Sequence, residues 1–106
     1  FTYELARRLE GSGVTANSLH PGVVATGFGK SGSGLMKFAV TVIRPFLISS
    51  AKGAETTIYL ASSPEVEGVS GKYFDKCRAV SSTAASNDPA AARRLWEISE
   101  KLTGIA

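Results

Sequence analysis

Two short runs with strand character, Val14 to His20 and Val69 to Lys76, are separated by a long connection that contains a helical stretch. This arrangement constrains the fold more than any other feature. Val14 and Ala16 alternate against Thr15 and Asn17 before Leu19, bounded by glycine on one side and Pro21-Gly22 on the other. In the second run Tyr73 and Phe74 supply aromatic strand formers. Strands joined by a helical crossover lie parallel in one sheet. Parallel sheets need cover on both faces and more than two strands. The chain is therefore predicted to be part of a larger α/β unit.

Three helices surround these runs. Phe1, Leu5 and Leu9 recur every four residues and stack on one face of the first. Glu4 and Arg8 have the i,i+4 spacing of a solvated opposite face, and Gly11-Ser12-Gly13 ends the helix. Ser49 or Ser50 caps the second, which runs to about Ser62 with Ala54, Ile58 and Ala61 on its apolar face. Ser63-Pro64 stops it. Asp88 as N-cap and Pro89 at the first helical position open the third. Its apolar face is Leu95, Ile98 and Leu102, with Trp96 beside them in the core, and Gly104 terminates it. Arg78 to Asn87 reads as a small-residue surface loop. The predicted order is helix, strand, loop, helix, strand, helix, without repeats or an interdomain linker.

A length of 106 residues, 43% hydrophobic and 20% charged, allows one soluble domain at most. The net charge of +3 comes from scattered cations with no aromatic interleaving, so nucleic acid is not an expected partner. Cys77, the single cysteine, cannot close an intrachain disulfide. Its isolation points to a reducing compartment, here expected to be the cytoplasm, or simply to disuse, and without a neighbouring base it reads as a packed structural thiol. No apolar run reaches the ~18 residues of a membrane span, and no signal-peptide pattern is present. Phe1 opens directly into a helical pattern, without Met or an N-cap, so the chain reads as truncated. With one histidine and one cysteine, no zinc site is expected. His20 lacks a neighbouring nucleophile or carboxylate and reads as structural rather than as a general base. Asn17 is expected to satisfy nearby backbone groups.

The informative segment is Leu19-His20-Pro21-Gly22-Val23-Val24-Ala25-Thr26-Gly27. It lies where the first strand ends, and open α/β sheets bind ligands outside the carboxyl ends of their strands. Pro21 turns the chain from the ladder, and Gly22 lets the backbone approach a flat ligand. The peptide groups of Val23 and Val24 are then free to pair with a planar amide. The Thr26 hydroxyl can bond an amide or a phosphate oxygen. On these residues alone, a strand-terminating turn that happens to contain Pro-Gly is an equal reading.

The stretch at about 27–48 is pliable at first, with Gly27, Gly29, Gly32 and Gly34, and then strongly apolar from Leu35 to Ile48. Connections longer than ~12–15 residues in compact domains are usually functional or disordered. Lys30, Lys37, Arg44 and Lys52 bracket this one with no acid between them. Three readings stay open: an apolar lid over a lipophilic substrate, docking to a membrane surface, and packing against the rest of a larger domain.

Several segments together carry a resemblance. They are Phe1 to Leu9, Val14 to Thr26, Gly53-Ala54-Glu55-Thr56, Ser63-Pro64-Glu65, Val69 to Phe74, and Ala92-Arg93-Arg94-Leu95-Trp96. In this order and spacing they resemble the short-chain dehydrogenase/reductase superfamily, especially its retinol-dehydrogenase-like branch. The resemblance spans nearly the whole chain and implies the C-terminal part of a Rossmann-like, doubly wound parallel sheet, residues 1–106 forming one portion of a single domain. It implies an NAD- or NADP-dependent oxidoreductase acting on an apolar alcohol or carbonyl substrate. It also implies homo-oligomers, while peripheral membrane contact stays open. By resemblance, Pro21 and Gly22 shape the nicotinamide turn and Val23 lies within it. Val24 bonds the carboxamide through its backbone, and Thr26 contacts the carboxamide or pyrophosphate. The stretch at about 27–48 corresponds to the variable substrate lid. The family's Tyr-x-x-x-Lys, catalytic serine and glycine-rich loop have no counterpart here, so no catalytic residue is assigned and the chain alone is expected to be inactive. Tyr3-Glu4-Leu5-Ala6-Arg7 imitates the catalytic spacing but lies too late in the helix, and arginine is no substitute for a tunable lysine. The alternative is a non-catalytic fragment or pseudoenzyme that serves as a protein-interaction module.

Overall fold

The computed structural model describes residues 1–24, 34, 38, 41–42 and 47–105. Helix α1 (Thr2–Arg8) leads to strand β1 (Ser18–His20). Helix α2 (Ser50–Ser62) and a 3-10 turn (Pro64–Val66) follow. Strands β2 (Tyr73–Asp75) and β3 (Arg78–Val80), a second 3-10 turn (Ala84–Asn87) and helix α3 (Pro89–Thr103) complete the chain.

β1 and β2 pair in parallel, with Ser18, Leu19 and His20 opposite Tyr73, Phe74 and Asp75. Both strands are shorter than the sequence suggests, but hydrogen bonds prolong the contact toward their N-terminal ends. The Gly71 N–H donates to the Ala16 carbonyl (2.8 Å), and the Ser18 N–H to the Lys72 carbonyl (2.9 Å). Asn17 fills the role expected of it: its amide donates to the Val69 carbonyl (2.7 Å) and accepts from the Lys72 N–H (3.0 Å).

The order differs from expectation at one element. Arg78 to Val80, read as loop, is a strand that pairs antiparallel with β2, so the three-stranded sheet is mixed, in the order β1-β2-β3. The hairpin turns through Lys76 and Cys77, both at positive φ (48° and 61°). Two consecutive left-handed residues twist a two-residue hairpin correctly, a task usually given to Asn-Gly. Here the backbone is held from outside. The Cys77 N–H donates to the hydroxyl of Thr56, buried on α2, at 3.2 Å. The Cys77 thiol is half-buried against the same hydroxyl (3.9 Å).

Two helical faces are also corrected. α1 buries Glu4 (6% exposed), the residue assigned to solvent, while Phe1 is exposed and Leu5 and Leu9 are half-buried. The reason is α3. Arg7 and Arg8 both bond the Glu4 carboxylate, at 2.7 and 2.9 Å. Arg8 then stacks over the Trp96 ring (4.5 Å) and approaches Glu100 (3.8 Å). Phe1 also stacks on Trp96, the ring centroids 4.8 Å apart. Trp96 is thus half-buried in an interhelical seam and bonds Glu100 through its indole N–H. α2 packs through Gly53 and Thr56, while Ile58 and Ala61 of the expected face are exposed.

The ends of α3 agree with the sequence. Asp88 accepts from the Ala90 and Ala91 N–H groups (2.8 and 3.2 Å), and Gly104 closes the helix at φ 68°. Its predicted apolar face does not reach a core: Leu95, Ile98 and Leu102 are exposed, Leu102 to 82%. Among the described residues, the buried hydrophobic side chains are Phe74 (3% exposed) and Ala92 (8%). No helix among them is long and apolar enough to cross a membrane.

Candidate functional site

The turn that follows β1 is built by interlock with the segment leading into α2. The chain leaves His20 through Pro21 and passes Gly22 at φ +80°, a conformation only glycine adopts readily. The Ile48 N–H donates to the Val23 carbonyl (3.0 Å), which makes an isolated parallel bridge between Val24 and Ile48. In a parallel pairing of this kind one residue supplies the bonded groups and the residue opposite turns its own away. Ile48 is the bonding residue. Val24 therefore directs its N–H and C=O to the side away from residues 47–48.

Side chains complete the interlock. A Cβ added to Gly22 would lie 2.8 Å from the Ile48 Cδ1, the mobile end of a long side chain. A Cβ added to Gly53, buried in the first turns of α2, would lie 2.5 Å from Cγ2 of Val24 and 3.2 Å from its Cγ1. The Val24 isopropyl group thus sits directly on the helix at Gly53. This contact was not predicted, because a glycine inside a helical pattern says nothing about which residue it faces. The N-terminus of α2 is closed by its own residues: the Ser49 hydroxyl accepts from the Lys52 N–H (3.2 Å). Lys52 forms an ion pair with Glu55 (2.7 Å), and that hydrogen-bonded partner raises its pKa above the ordinary lysine value.

Of the predicted site residues, Pro21, Gly22, Val23 and Val24 are brought together at this turn. Pro21 and Val23 are exposed, and Gly22 and Val24 half-buried. Thr26 lies outside the described residues, as does most of the stretch at 27–48. Within that stretch Phe38 and Val42 are exposed, and Leu47 and Ile48 half-buried. His20 is exposed at the end of β1, opposite Asp75 in the register. Tyr3 is half-buried, and its hydroxyl bonds that of Ser82 (2.6 Å). Arg7 turns instead to Glu4, so the two residues of the imitation Tyr-x-x-x-Lys spacing address different partners. No group of three His, Cys, Asp or Glu side chains among the described residues could hold a metal ion.

A peptide N–H and C=O presented side by side beyond a parallel strand end suit a planar primary amide, which carries both a donor and an acceptor. The left-handed glycine before them allows a flat group to approach the backbone. Two grooves of roughly the volume of a ligand site, about 580 and 590 Å3, lie elsewhere, beside α1 and α3. Phe1, Leu95, Tyr73 and Ser18 line the second. Neither includes the turn, so they are not counted as part of the site.

Comparison with known proteins bears on the chain as a whole. Human retinol dehydrogenase 14 is 48% identical over 113 residues, covering 99% of this chain and 32% of that protein. Retinol dehydrogenase 13 of Mus musculus is 44% identical over 111 residues, covering 100% of this chain and 33% of the relative. The WW domain-containing oxidoreductase of Danio rerio is 42% identical over 103 residues, covering 96% of this chain and 25% of its own length. The chain spans about a third or less of the length of the curated relatives it matches. No protein-family model matches it.

Proposed function

The chain belongs to the short-chain dehydrogenase/reductase superfamily, in its retinol-dehydrogenase-like branch, and from that premise we propose that it is the C-terminal part of an NAD- or NADP-dependent enzyme that interconverts an apolar alcohol and its carbonyl. In this reading the sheet β1-β2-β3 forms one end of a Rossmann-like sheet, and the turn at 21–24 holds the nicotinamide end of the cofactor. The observation that carries it is the orientation of Val24, whose peptide N–H and C=O face away from Ile48 beside a left-handed glycine.

The nicotinamide, when bound, supplies the hydride acceptor or donor. Everything this chain does is positioning. The Val24 peptide engages the carboxamide, and Thr26 bonds the carboxamide or pyrophosphate. Holding the carboxamide selects which ring face is presented to the substrate, and fixed orientation is a large share of what an enzyme contributes to such a step. The stretch at about 27–48 covers the substrate, and its apolar content fits a lipophilic alcohol. The proton-transfer residues belong to the longer parent, so the 106-residue chain alone is inactive. A cytoplasmic parent agrees with the single half-buried cysteine.

The test uses the full-length parent with a polyene or medium-chain alcohol, followed at the reduced-nicotinamide absorbance, with Thr26→Ala and Gly22→Ala alongside. Turnover that weakens in both variants, mainly through a raised KM for the cofactor, is the expected result. A folded parent with neither turnover nor cofactor binding would overturn the proposal. The exposed stripe Leu95, Ile98 and Leu102 favours a second reading, a non-catalytic interaction module. Upstream sequence separates the two: an intact Tyr-x-x-x-Lys shortly before Phe1 supports the enzyme, and a degraded one supports the module.

A further inference from the structure

We propose that Gly53 is a positioning residue for the nicotinamide end of the cofactor, acting through Val24. The inference rests on the assignment of the 21–24 turn made above and adds the element that fixes that turn in place. Gly53 is buried in the first turns of α2, and the space where its side chain would be is filled by Val24. An added Cβ would stand 2.5 Å from the Val24 Cγ2 and 3.2 Å from its Cγ1. Such distances must be relieved by movement.

The kind of movement distinguishes this glycine from the one in the turn itself. At Gly22 the nearest atom is the Ile48 Cδ1, which can swing aside, and the requirement for glycine comes from φ +80°. At Gly53 the backbone is helical and alanine would ordinarily be preferred there. The obstructing atoms are the two methyls borne directly on the Cβ of a β-branched residue, which is stiff at χ1. Val24 must leave its rotamer or carry its own backbone away from α2. The second movement shifts the N–H and C=O assigned to the carboxamide relative to Ile48, and the stiffness of valine at χ1 favours it. The relief is also defined. The Cβ of Val24 itself would lie 3.5 Å from the new Cβ, ordinary van der Waals contact, so an alanine at 24 accepts an alanine at 53. Substituting 24 alone leaves the seat over Gly53 empty and the turn loosened.

The experiment compares Gly53→Ala, Val24→Ala and the double variant in the full-length parent. NADH and NADPH are titrated by nicotinamide fluorescence, and ADP-ribose and its 2′-phosphate by calorimetry. The latter pair carries the adenine half without the nicotinamide. Gly53→Ala is expected to weaken binding of the favoured dinucleotide about tenfold, the factor given by 1.4 kcal/mol. Affinity for the matching nicotinamide-free ligand should stay at the parent's value, and the double variant should recover most of the loss. Dinucleotide binding unchanged in Gly53→Ala overturns the proposal, and so does an equal loss for both kinds of ligand, which would report general destabilisation. Should Gly53→Ala fail to fold, the comparison of Val24→Ala with the double variant decides. Tighter dinucleotide binding by the double variant supports the seat, and equal or weaker binding refutes it. A parent that binds the dinucleotide no better than the nicotinamide-free ligand removes the site assignment and this inference together. A parent whose preference is weakened by Thr26→Ala but untouched at Gly53 removes the inference alone.

Discussion

Glu4 shows how one residue can be misread from spacing alone. Its i,i+4 relation to Arg8 is the same whether that face meets water or another helix, and here Arg8 also reaches Trp96 and Glu100 on α3. Hydrogen bonds from Arg7 and then Arg8 hold the Glu4 carboxyl below its ordinary value near 4.5. A carboxyl whose folded pKa is depressed contributes stability that is complete above the unfolded value and is lost as pH falls through the folded one. Acidifying from neutrality to about pH 3 should therefore lower the denaturant midpoint of the parent more steeply than that of Glu4→Gln. Parallel pH profiles would show that the pair contributes nothing. Asn17 is the opposite case, legible because a polar amide within a strand pattern needs partners. It has them at Val69 and Lys72. Asn17→Ala leaves both backbone groups short of a bond and should cost about 1–2 kcal/mol in equilibrium unfolding.

At the scale of elements, legibility followed how local the determining signal is. The ends of α3 depend on residues adjacent in sequence, and Asp88, Pro89 and Gly104 all act as their types suggest. Asp88→Ala removes the acceptor for two N–H groups and should destabilise the protein by about 1 kcal/mol, measured by denaturant titration. The parallel pairing of β1 and β2 was legible from the crossover between them. β3 was not, because its hairpin turn carries no Asn-Gly cue: Lys76 and Cys77 take left-handed conformations under the constraint of Thr56, a residue distant in sequence. That constraint has a measurable consequence. Left-handed backbone costs a non-glycine residue roughly 1–2 kcal/mol, and asparagine tolerates it better than lysine. Lys76 is exposed, so asparagine in its place gives up no burial. Lys76→Asn should thus stabilise the protein by about 0.5–1 kcal/mol. A neutral or destabilising result would argue against the positive-φ hairpin.

Across the whole chain the two legible patterns, helical stripes and parallel strands, lead to one conclusion about cohesion. Leu95, Ile98 and Leu102 form an apolar stripe, yet Leu95 and Ile98 stay nearly half exposed and Leu102 is 82% exposed, and Ile58, Val14 and Phe1 are exposed as well. Burial of apolar surface is the main term that offsets the entropy of ordering a chain. Here burial of hydrophobic side chains is confined, among the described residues, to Phe74 and Ala92. The parallel pair β1–β2 adds to the imbalance, since such strands are normally covered on both faces. The local turns, caps and ion pairs are well formed, but each is worth on the order of 1 kcal/mol and cannot replace a core. The 106-residue chain expressed alone should therefore show helical far-ultraviolet dichroism without a cooperative thermal transition. It should also enhance the fluorescence of a hydrophobic dye and sediment as concentration-dependent oligomers. The full-length parent should melt cooperatively and leave the dye dark, because the other two-thirds of a retinol-dehydrogenase-like domain would cover these stripes. A cooperative, dye-silent monomer from residues 1–106 would mean that the apolar face of α3 is satisfied within this chain, and the interaction-module reading would lose its only support.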